Sequence, residues 1–360
     1  MRTLTLLALL PALAHGDPID DAIRASMAKD HIPGVAVGVI KDGKLVVARG
    51  YGIANLEDGA AVTPETVFRI ASMSKQFCAE SILMLAAEGK LSLDDPVSKY
   101  VEGTPEAWKE IRIRHLLGHQ SGIHEINETK GYDFRDDYTQ GQLLDLMKAG
   151  ALDFEPGTRF SYSNSGYYIL GWIVQRVSGQ TLAAFAQARI FGPLGMTHTS
   201  YYRQIDLVPG RADAYRWATD HYTNGWPERS ATGDGSGAVL TTLADWAKYD
   251  AALDAGTLVP KTMQAQMAFG TPFKDGKRSP YGFGWYESAE GAVFHTGSSY
   301  GFTSAFIRDP KSHVTVVVFR NSNGGPALDM ANAVRTAFDP KLKAVGRWDK
   351  TDPSVEPGAH

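Results

Sequence analysis

The segment from Ser72 to Glu88 constrains the fold more than any other, because it is apolar on nearly every face that a helix would present. It reads SMSKQFCAESILMLAAE and is followed by Gly89, a residue type that commonly ends helices. A helix without a polar face has to be enclosed on all sides, so the sequence predicts a helix that runs through the protein core. Ser72 and, one helical turn later, Lys75 stand at its head.

The spacing of Ser72 and Lys75 is one that nucleophilic catalysis can use. A serine hydroxyl is a poor nucleophile until a base takes its proton, and helix positions three apart lie on one face. Loss of hydration in so apolar a helix disfavours the charged form of Lys75 and lowers its pKa toward that of a useful base. A Ser-x-x-Lys pair is frequent by chance, however, and the motif alone equally fits a helix cap followed by a solvated lysine.

Strand patterns lie near both ends of the chain. Two β-rich runs in residues 34–52 are joined by Asp42-Gly43, a pair favoured in tight hairpins, and a helix with Asp17 as N-cap precedes them. The strand pattern returns in AVFHT, FTSAFIRD and HVTVVVFR, which the helical DMANAVRTAF follows. This order predicts an α+β fold, an antiparallel sheet flanked by N- and C-terminal helices with a helical lobe inserted.

The same patterns divide the chain into lobes. Residues 17–91 together with 271–340 are expected to form the sheet lobe, and residues 92–270, where helical segments are broken by Pro and Gly, the helical lobe. Residues 341–360 have the composition of a polar tail. Ligands favour the cleft between two such lobes.

The N-terminus has the layout of a secretory signal peptide. Residues 1–16, MRTLTLLALLPALAHG, contain one arginine and a short apolar run that Pro11 interrupts. The run is too short to span a bilayer, so we expect a periplasmic or secreted protein with no membrane anchor, cleaved near His15. A fraying N-terminal helix is the alternative. Cys78, the only cysteine, excludes an internal disulfide and is expected to be buried filler.

Composition excludes some partners. With 43% hydrophobic and 21% charged residues among 360, the chain is typical of a soluble globular protein. The formal net charge is −4, and the sequence contains no basic run. Both features argue against nucleic acid or an anionic membrane as partner. We expect a small-molecule or peptide substrate, and the oligomeric state stays open.

Two further motifs change the interpretation of the Ser-x-x-Lys pair. Tyr162 and Asn164 stand in FSYSNSGYYILGWIV just before a helix, and His295, Thr296 and Gly297 stand in GAVFHTGSSYG at a strand end. The three motifs in this order resemble those of the serine β-lactamase and penicillin-binding-protein superfamily. The Tyr-x-Asn form is most similar to class C β-lactamases, DD-carboxypeptidases, D-aminopeptidases and related esterases. The resemblance spans about residues 18–335 and includes HLLGHQSGI and FEPGTRFSYSN.

The resemblance implies a role for each residue of the first two motifs. Ser72 would be the acylated nucleophile and Lys75 its proton partner. Tyr162, with a pKa lowered by neighbouring cations, would share the base role and protonate the leaving group. Asn164 would bind Lys75 and the substrate amide. Taken singly, Tyr162 also fits a core aromatic and Asn164 a helix N-cap.

The third motif would form the substrate side of the site. Gly297 would let substrate lie along the strand, and the N–H groups of Ser298 and Ser72 would form the oxyanion hole. His295 and Thr296 would face the substrate carboxylate or the tyrosine, although His295 alone also fits an ordinary strand residue. Most β-lactamases have Lys at the position of His295; a histidine, neutral much of the time near pH 7, favours peptidase or esterase chemistry.

Two competing constellations point elsewhere. His115 and His119 are four apart, with His124 close behind, as in a zinc site, but HLLGH lacks the glutamate of a zincin motif, so we expect no metal. GSSYG fits the Gly-x-Ser-x-Gly elbow with Ser299 as nucleophile, but that elbow requires a parallel strand before it and a helix after it.

The sequence therefore predicts a cofactor-free serine hydrolase that forms an acyl-enzyme through Ser72. Its favoured substrate is a D-amino-acid peptide, in the manner of a DD-carboxypeptidase or aminopeptidase, and a β-lactam or carboxylic ester is the alternative. A hypothesis of another class is a penicillin-binding receptor that is acylated without turnover, or a binding module with an inactive site.

Overall fold

The computed structural model describes residues 17–203, 205–225 and 235–346. Its strands are β1 (Gly34–Lys41), β2 (Lys44–Asn55), β3 (Ala60–Ala61), β4 (Phe68–Arg69), β5 (Ser200–Tyr201), β6 (Tyr215–Trp217), β7 (Tyr222–Asn224), β8 (Val239–Thr241), β9 (Tyr286–Glu287), β10 (Val293–Ser299), β11 (Phe302–Asp309) and β12 (Val314–Arg320). Seven of them form one antiparallel sheet in the order β3-β2-β1-β12-β11-β10-β9. Two small sheets, β4-β8-β5 and β6-β7, lie beside it.

The α-helices of the described residues are α1 (Pro18–Asp30), α2 (Lys75–Ala87), α3 (Ile113–Leu117), α4 (Gln140–Met147), α5 (Asn164–Ser178), α6 (Leu182–Ala186), α7 (Leu243–Ala255), α8 (Lys261–Ala268) and α9 (Ala327–Phe338). Asp17 caps α1 by accepting a hydrogen bond from the backbone of Ile19 at 2.9 Å, as predicted. Helices therefore stand at both ends of the sheet sequence, and the predicted α+β class is confirmed.

The two ends of the chain meet in the middle of the sheet. Asp42 and Gly43 both have positive φ, 50° and 71°, which matches the twist of a tight hairpin between β1 and β2. The other edge of β1 pairs with β12, so that Val39 lies opposite Val316. β1 and β12, the first and last strands, are thus neighbours in the sheet, although the other strands lie between them in sequence.

The sheet is covered on both sides because its central strands are apolar on both faces. Alternate residues of β1 and β12 pack against α1 and α9, in a cluster that includes Ile23, Val35, Val37, Val39, Val316, Val318 and Val334. The opposite face packs against α7, whose Trp246 ring lies 6.0 Å from the ring of Phe319. The helix α7 falls within the segment predicted as the helical lobe, yet it packs on β1 and β2.

The predicted core helix is present and enclosed, but it begins later than predicted. Every residue of α2 from Lys75 to Leu85 is buried. Residues 71–74 form a 3₁₀ turn instead, in which the hydroxyl of Ser74 accepts a hydrogen bond from the Val239 backbone at 3.0 Å. This contact and the left-handed backbone of Ala71 hold the preceding chain in a tighter turn than an α-helix.

The start of the predicted polar tail belongs to the folded body. Leu342 and Val345 are buried, and Asn332 of α9 binds both the N–H and the carbonyl of Val345. Residues 347–360, the rest of that tail, lie outside the described residues, as does the predicted signal peptide, residues 1–16. Within the described ranges, every helix is too short or too polar to cross a bilayer.

Candidate active site

Ser72 lies in the turn that joins β4 to α2. The preceding Ala71 has φ 46°, in the left-handed region that a residue with a β-carbon rarely adopts, at a cost of about 1–2 kcal/mol. Ala71 and Met73 are buried, whereas Ser72 is partly exposed. A strained and otherwise enclosed turn thus presents one serine side chain, an arrangement common at functional sites.

The side chain of Lys75 is enclosed beneath Ser72, with no solvent exposure. Its Nζ donates to Asn164 Oδ1 at 2.7 Å and to the Ser236 carbonyl at 2.9 Å, and lies 3.3 Å from Ser72 Oγ. In the neutral amine the two carbonyl oxygens use both N–H bonds, which leaves the lone pair for the Ser72 hydroxyl. The arrangement is therefore that of a base beside a nucleophile.

Asn164 joins Lys75 to an acidic residue. It is the first residue of α5, and while its Oδ1 faces Lys75 its Nδ2 donates to Glu125 Oε1 at 2.8 Å. Its backbone N–H donates to Glu125 Oε2 at 2.6 Å. The N-cap of α5 is Ser163, whose hydroxyl accepts from Gly166, so the cap alternative for Asn164 is wrong.

Tyr162 lies against Lys75, with Nζ 4.8 Å from the centre of its ring. Its hydroxyl is buried and has no hydrogen-bond partner of normal geometry within the described part of the chain. Burial raises the pKa of Tyr162 well above its ordinary value, with the proximity of the Ser72 hydroxyl acting the other way. The predicted lowering of this pKa is therefore wrong, because loss of hydration outweighs the contact with Ser72. Tyr162 rests as a neutral phenol, which can donate a proton.

His119 forms the wall behind Tyr162. The two ring centres lie 4.3 Å apart, and Nδ1 of His119 accepts a hydrogen bond from the Ser163 backbone at 3.0 Å. Burial, and then the charge of Lys75, hold the pKa of His119 well below its ordinary value. A neutral imidazole thus packs against the phenol and adds no positive charge to the site.

His295 is turned into the protein toward Tyr162, whose ring centre lies 6.2 Å from its own. Its Nδ1 lies 2.6 Å from the carbonyl of Thr296, which can only accept, so Nδ1 carries the proton and Nε2 accepts from the Tyr281 hydroxyl at 2.9 Å. Burial, and then Lys75, lower the pKa of His295 to about 3. The ring is neutral, and both nitrogens bind protein groups.

The third motif lies on an open strand edge. On the side of β9, β10 pairs only through Val293 and Phe294, so from His295 onward this edge has no strand partner among the residues described. Thr296 is partly exposed and Ser298 is exposed along it. An extended substrate can therefore add to this edge beside Ser72.

Gly297 is required for packing within the protein, and its predicted role of making room for substrate stays a prediction. A β-carbon at this position would lie far inside van der Waals contact of the Ile70 carbonyl oxygen and Ser304 Oγ. Ser304 Oγ donates to that same carbonyl at 2.8 Å. The missing side chain therefore lets β10 pack against the residues that lead into Ser72.

The three histidines of the alternative zinc site bind protein groups instead. Nδ1 of His115 accepts from the Arg112 backbone at 3.2 Å, and His124 lies 3.1 Å from Asp153. His119 is held by Ser163 as described. Burial lowers the pKa of His115 to about 4. A search of the described residues for three or more His, Cys, Asp or Glu side chains that could hold a metal finds none.

Ser299 does not stand on a nucleophile elbow. It is the last residue of β10, and β11 starts at Phe302 as the antiparallel partner of β10. The elbow needs a helix after the serine, and here a hairpin follows. Cys78 is buried, with its sulfur 4.0 Å from the Tyr167 carbonyl, which confirms its role as core filler.

Three groups of the site were not among the residues predicted from the sequence. Glu125 is separated from Asn164 by 39 positions, and no local pattern marks it. The Ser236 carbonyl is a backbone group that any residue type could supply. Tyr281 stands in YGFGW, where two glycines that alternate with three aromatic residues could have indicated a tightly packed segment.

Comparisons with known proteins match most of the chain to one family. The Beta-lactamase family model matches residues 19–338 of the chain. Protein flp of Staphylococcus aureus (strain MRSA252) is 29% identical over 318 residues, which are 85% of this chain and 62% of flp. The chain thus spans less than two thirds of the length of this curated relative.

Solved structures share the fold. The octameric penicillin-binding protein homologue from Pyrococcus abyssi is similar with a TM-score of 0.74 and 29% identity, over 89% of this chain and 76% of that one. The D-amino acid amidase from Ochrobactrum anthropi SV3, solved with D-phenylalanine, has a TM-score of 0.75 over 90% of this chain and 99% of its own. At 22% identity, the amidase shows likeness of fold alone.

Proposed function

This chain belongs to the β-lactamase family, as its three motifs predicted, and we propose that it is a serine hydrolase acting through an acyl-enzyme on Ser72. The observation that carries the proposal is the position of Lys75 Nζ, 3.3 Å from Ser72 Oγ and held by Asn164 Oδ1 at 2.7 Å. The neighbouring neutral phenol of Tyr162 and the open edge of β10 support it. No proposed step requires a cofactor.

Acylation begins when neutral Lys75 takes the proton of Ser72 as Oγ bonds to the substrate carbonyl carbon. The carbonyl electron pair moves onto oxygen, which we assign to the N–H groups of Ser72 and Ser298. As the carbon–nitrogen bond breaks, the leaving nitrogen takes a proton from Tyr162, and the ammonium of Lys75 returns a proton to the phenolate.

Deacylation repeats these transfers with water. Lys75 takes a proton from a water molecule whose oxygen bonds to the acyl carbon, and Ser72 Oγ leaves with a proton supplied through Tyr162 or Lys75. The acid product departs and the enzyme regains its starting protonation. A site that supports acylation but excludes this water would instead be the non-turnover penicillin receptor, which the likeness to a penicillin-binding protein homologue keeps as the second candidate.

The proposed substrate is the amide bond of a D-amino-acid peptide or amide. The amidase of similar fold supports this choice. A neutral His295, engaged on both nitrogens, also offers no fixed charge to an acidic β-lactam. A carboxylic ester or a β-lactam remains the alternative. We further propose that residues 1–16 direct export to the periplasm or the medium, where such peptides occur.

A substrate panel tests the proposal. Purified protein and its Ser72→Ala variant are compared on a D-Ala-D-Ala peptide, a D-amino acid amide, a p-nitrophenyl ester and a chromogenic cephalosporin. We expect turnover of a D-amino-acid amide bond by the wild type alone. Turnover that survives in Ser72→Ala overturns the mechanism, and a labelled penicillin that stays bound without any turnover favours the receptor.

A further inference from the structure

Glu125 is hydrogen-bonded to the active site through Asn164. Its two carboxylate oxygens accept from the backbone N–H and from Nδ2 of Asn164, at 2.6 and 2.8 Å. Glu125 Oε1 also accepts from Nδ2 of Asn127 at 2.8 Å, which holds the carboxylate in place. The catalytic roles considered from the sequence do not include it. We propose that Glu125 is a positioning residue that fixes the direction of the Asn164 amide and, through it, the lone pair of Lys75; this rests on the function proposed above.

The direction of the Asn164 amide follows from which of its neighbours can donate a hydrogen bond. A carboxylate only accepts hydrogen bonds, so Glu125 can face the NH₂ end of the Asn164 amide but not its oxygen. The amide oxygen is thereby turned toward Lys75, whose N–H groups it accepts at 2.7 Å. A flipped amide would set an NH₂ group against Lys75, where two donors would face each other.

The fixed amide also fixes the base. With one N–H on Asn164 Oδ1 and another on the Ser236 carbonyl, neutral Lys75 has its lone pair left for Ser72. If the amide rotated, one of these acceptors would be lost and the amine could turn its lone pair away from the nucleophile. Misplacement of a catalytic group by about 1 Å can lower the rate about a hundredfold.

A purely structural role for Glu125 is the competing explanation. Its carboxylate lies at the N-terminus of α5, where a negative charge stabilises a helix. Removal of the charge would then lower stability and affect the site only indirectly. The two roles differ in whether the effect of Glu125 passes through the side chain of Asn164.

A double-mutant cycle separates them. The rate at which a fluorophosphonate phosphonylates Ser72, taken as the measure of acylation, is determined for wild type, Glu125→Gln, Asn164→Ala and the double variant, with thermal unfolding of each. Glutamine keeps the shape of Glu125 but can also donate, so we expect acylation to fall about tenfold or more in Glu125→Gln, and by less than about twofold when Asn164 is already alanine. An equal loss in both backgrounds overturns the proposal, as does an unchanged rate in Glu125→Gln.

Two further variants control for new contacts made by glutamine and for the change in net charge. Glu125→Ala repeats the cycle with a smaller side chain, in case glutamine introduces new contacts. Glu128→Gln removes the same charge from an exposed position of the same loop and should acylate at the wild-type rate. A similar loss in Glu128→Gln would attribute the effect to net charge and overturn the proposal.

The pH profile gives an independent readout. Removal of the carboxylate favours the neutral amine of Lys75 whatever role Glu125 has, so the acid limb of the acylation profile should move to lower pH in Glu125→Gln. A misdirected Asn164 amide should in addition lower the plateau rate, where Lys75 is already neutral, and a plateau at the wild-type rate would overturn the proposal. The other titratable groups packed around Lys75 are Tyr162, Tyr167, His119 and His295. The charge of Glu125 also helps to raise the pKa of Tyr162, so the substitution lowers that pKa, which affects the alkaline limb and not the acid limb. If wild type itself is not labelled at Ser72, the proposed function fails; if wild type is labelled and the variants match it, only the role of Glu125 fails.

Discussion

The side-chain nitrogen of Lys75 lies 3.3 Å from the hydroxyl oxygen of Ser72, at the end of a lysine side chain that solvent does not reach. Burial of a lysine costs free energy unless polar groups receive its N–H bonds, and here two carbonyl oxygens do so. The buried amine is thus placed to exchange a proton with the adjacent hydroxyl.

Loss of the base should abolish turnover while most of the fold persists. We expect Lys75→Met to lower kcat/KM about a hundredfold or more, because no other group takes the Ser72 proton. The matched control is Lys109→Met, which removes an exposed lysine paired with Glu106 and should leave activity unchanged. Steady-state kinetics on the substrate identified by the panel measure both, and a Lys75→Met enzyme with near wild-type rates would contradict the assignment.

Tyr162→Phe should discriminate between leaving groups. A neutral phenol donates a proton to a departing amine, whereas p-nitrophenolate leaves without one. We therefore expect the variant to lose about a hundredfold on an amide but less than about tenfold on a p-nitrophenyl ester. Parallel kinetics on the two substrates check this. Equal losses on both would indicate that Tyr162 acts as a base in acylation rather than as the donor.

Gly297→Ala should disturb the Ser72 turn. The added methyl group would overlap the Ile70 carbonyl, so β10 or the turn has to shift, at a cost of about 1–3 kcal/mol. We expect a lower melting temperature and a loss of activity together. Gly150→Ala, at a site where a β-carbon would meet no other atom within 4 Å, is the control. Normal activity in Gly297→Ala would show that the close approach is not needed for catalysis.

Glu80 should make the protein less stable as pH rises. It is buried within α2, and burial raises its pKa from 4.5 to about 8, although the Tyr249 hydroxyl acts in the other direction. Between these pH values the unfolded chain has lost this proton and the folded chain keeps it, so the free energy of unfolding falls with pH by roughly 1 kcal/mol per unit. Below pH 4.5 both states are protonated and the penalty vanishes.

Glu80→Gln tests this directly, because the amide has a similar shape and does not titrate. Denaturant unfolding at several pH values should show the variant gaining stability over wild type as pH rises from 5 to 8, with little difference at acid pH. The exposed Glu65→Gln is the control and should follow wild type throughout. A difference between Glu80→Gln and wild type that is independent of pH would show that Glu80 does not bind a proton in the folded state.

The sequence could predict the elements whose pattern is local. The core helix, the Asp42-Gly43 hairpin and the late strands follow from apolar periodicity and turn chemistry, which neighbouring residues determine. The resemblance supplied the remaining link, since nothing within a motif states that Tyr162 and Ser72 meet. The start of α2 was misjudged because Ser74 binds the distant backbone of Val239.

Properties that depend on how deeply a residue is buried, or on which distant residues it contacts, could not be predicted from the sequence. Whether the pKa of Tyr162 rises or falls depends on the balance between burial and nearby charge, and only the folded packing determines it. Likewise, the close approach of Gly297 to Ile70, which follows β4, is a tertiary contact that no local pattern marks. Glu125 was missed because its contact with Asn164 is a tertiary one.

The most direct test of the central claim is to find the atom that a serine-directed reagent modifies. Purified protein is treated with a fluorophosphonate, digested and analysed by mass spectrometry, beside Ser72→Ala and Ser299→Ala. We predict one adduct, on the peptide that contains Ser72, retained in Ser299→Ala and absent from Ser72→Ala. An adduct on another residue, or one that persists in Ser72→Ala, would contradict the account.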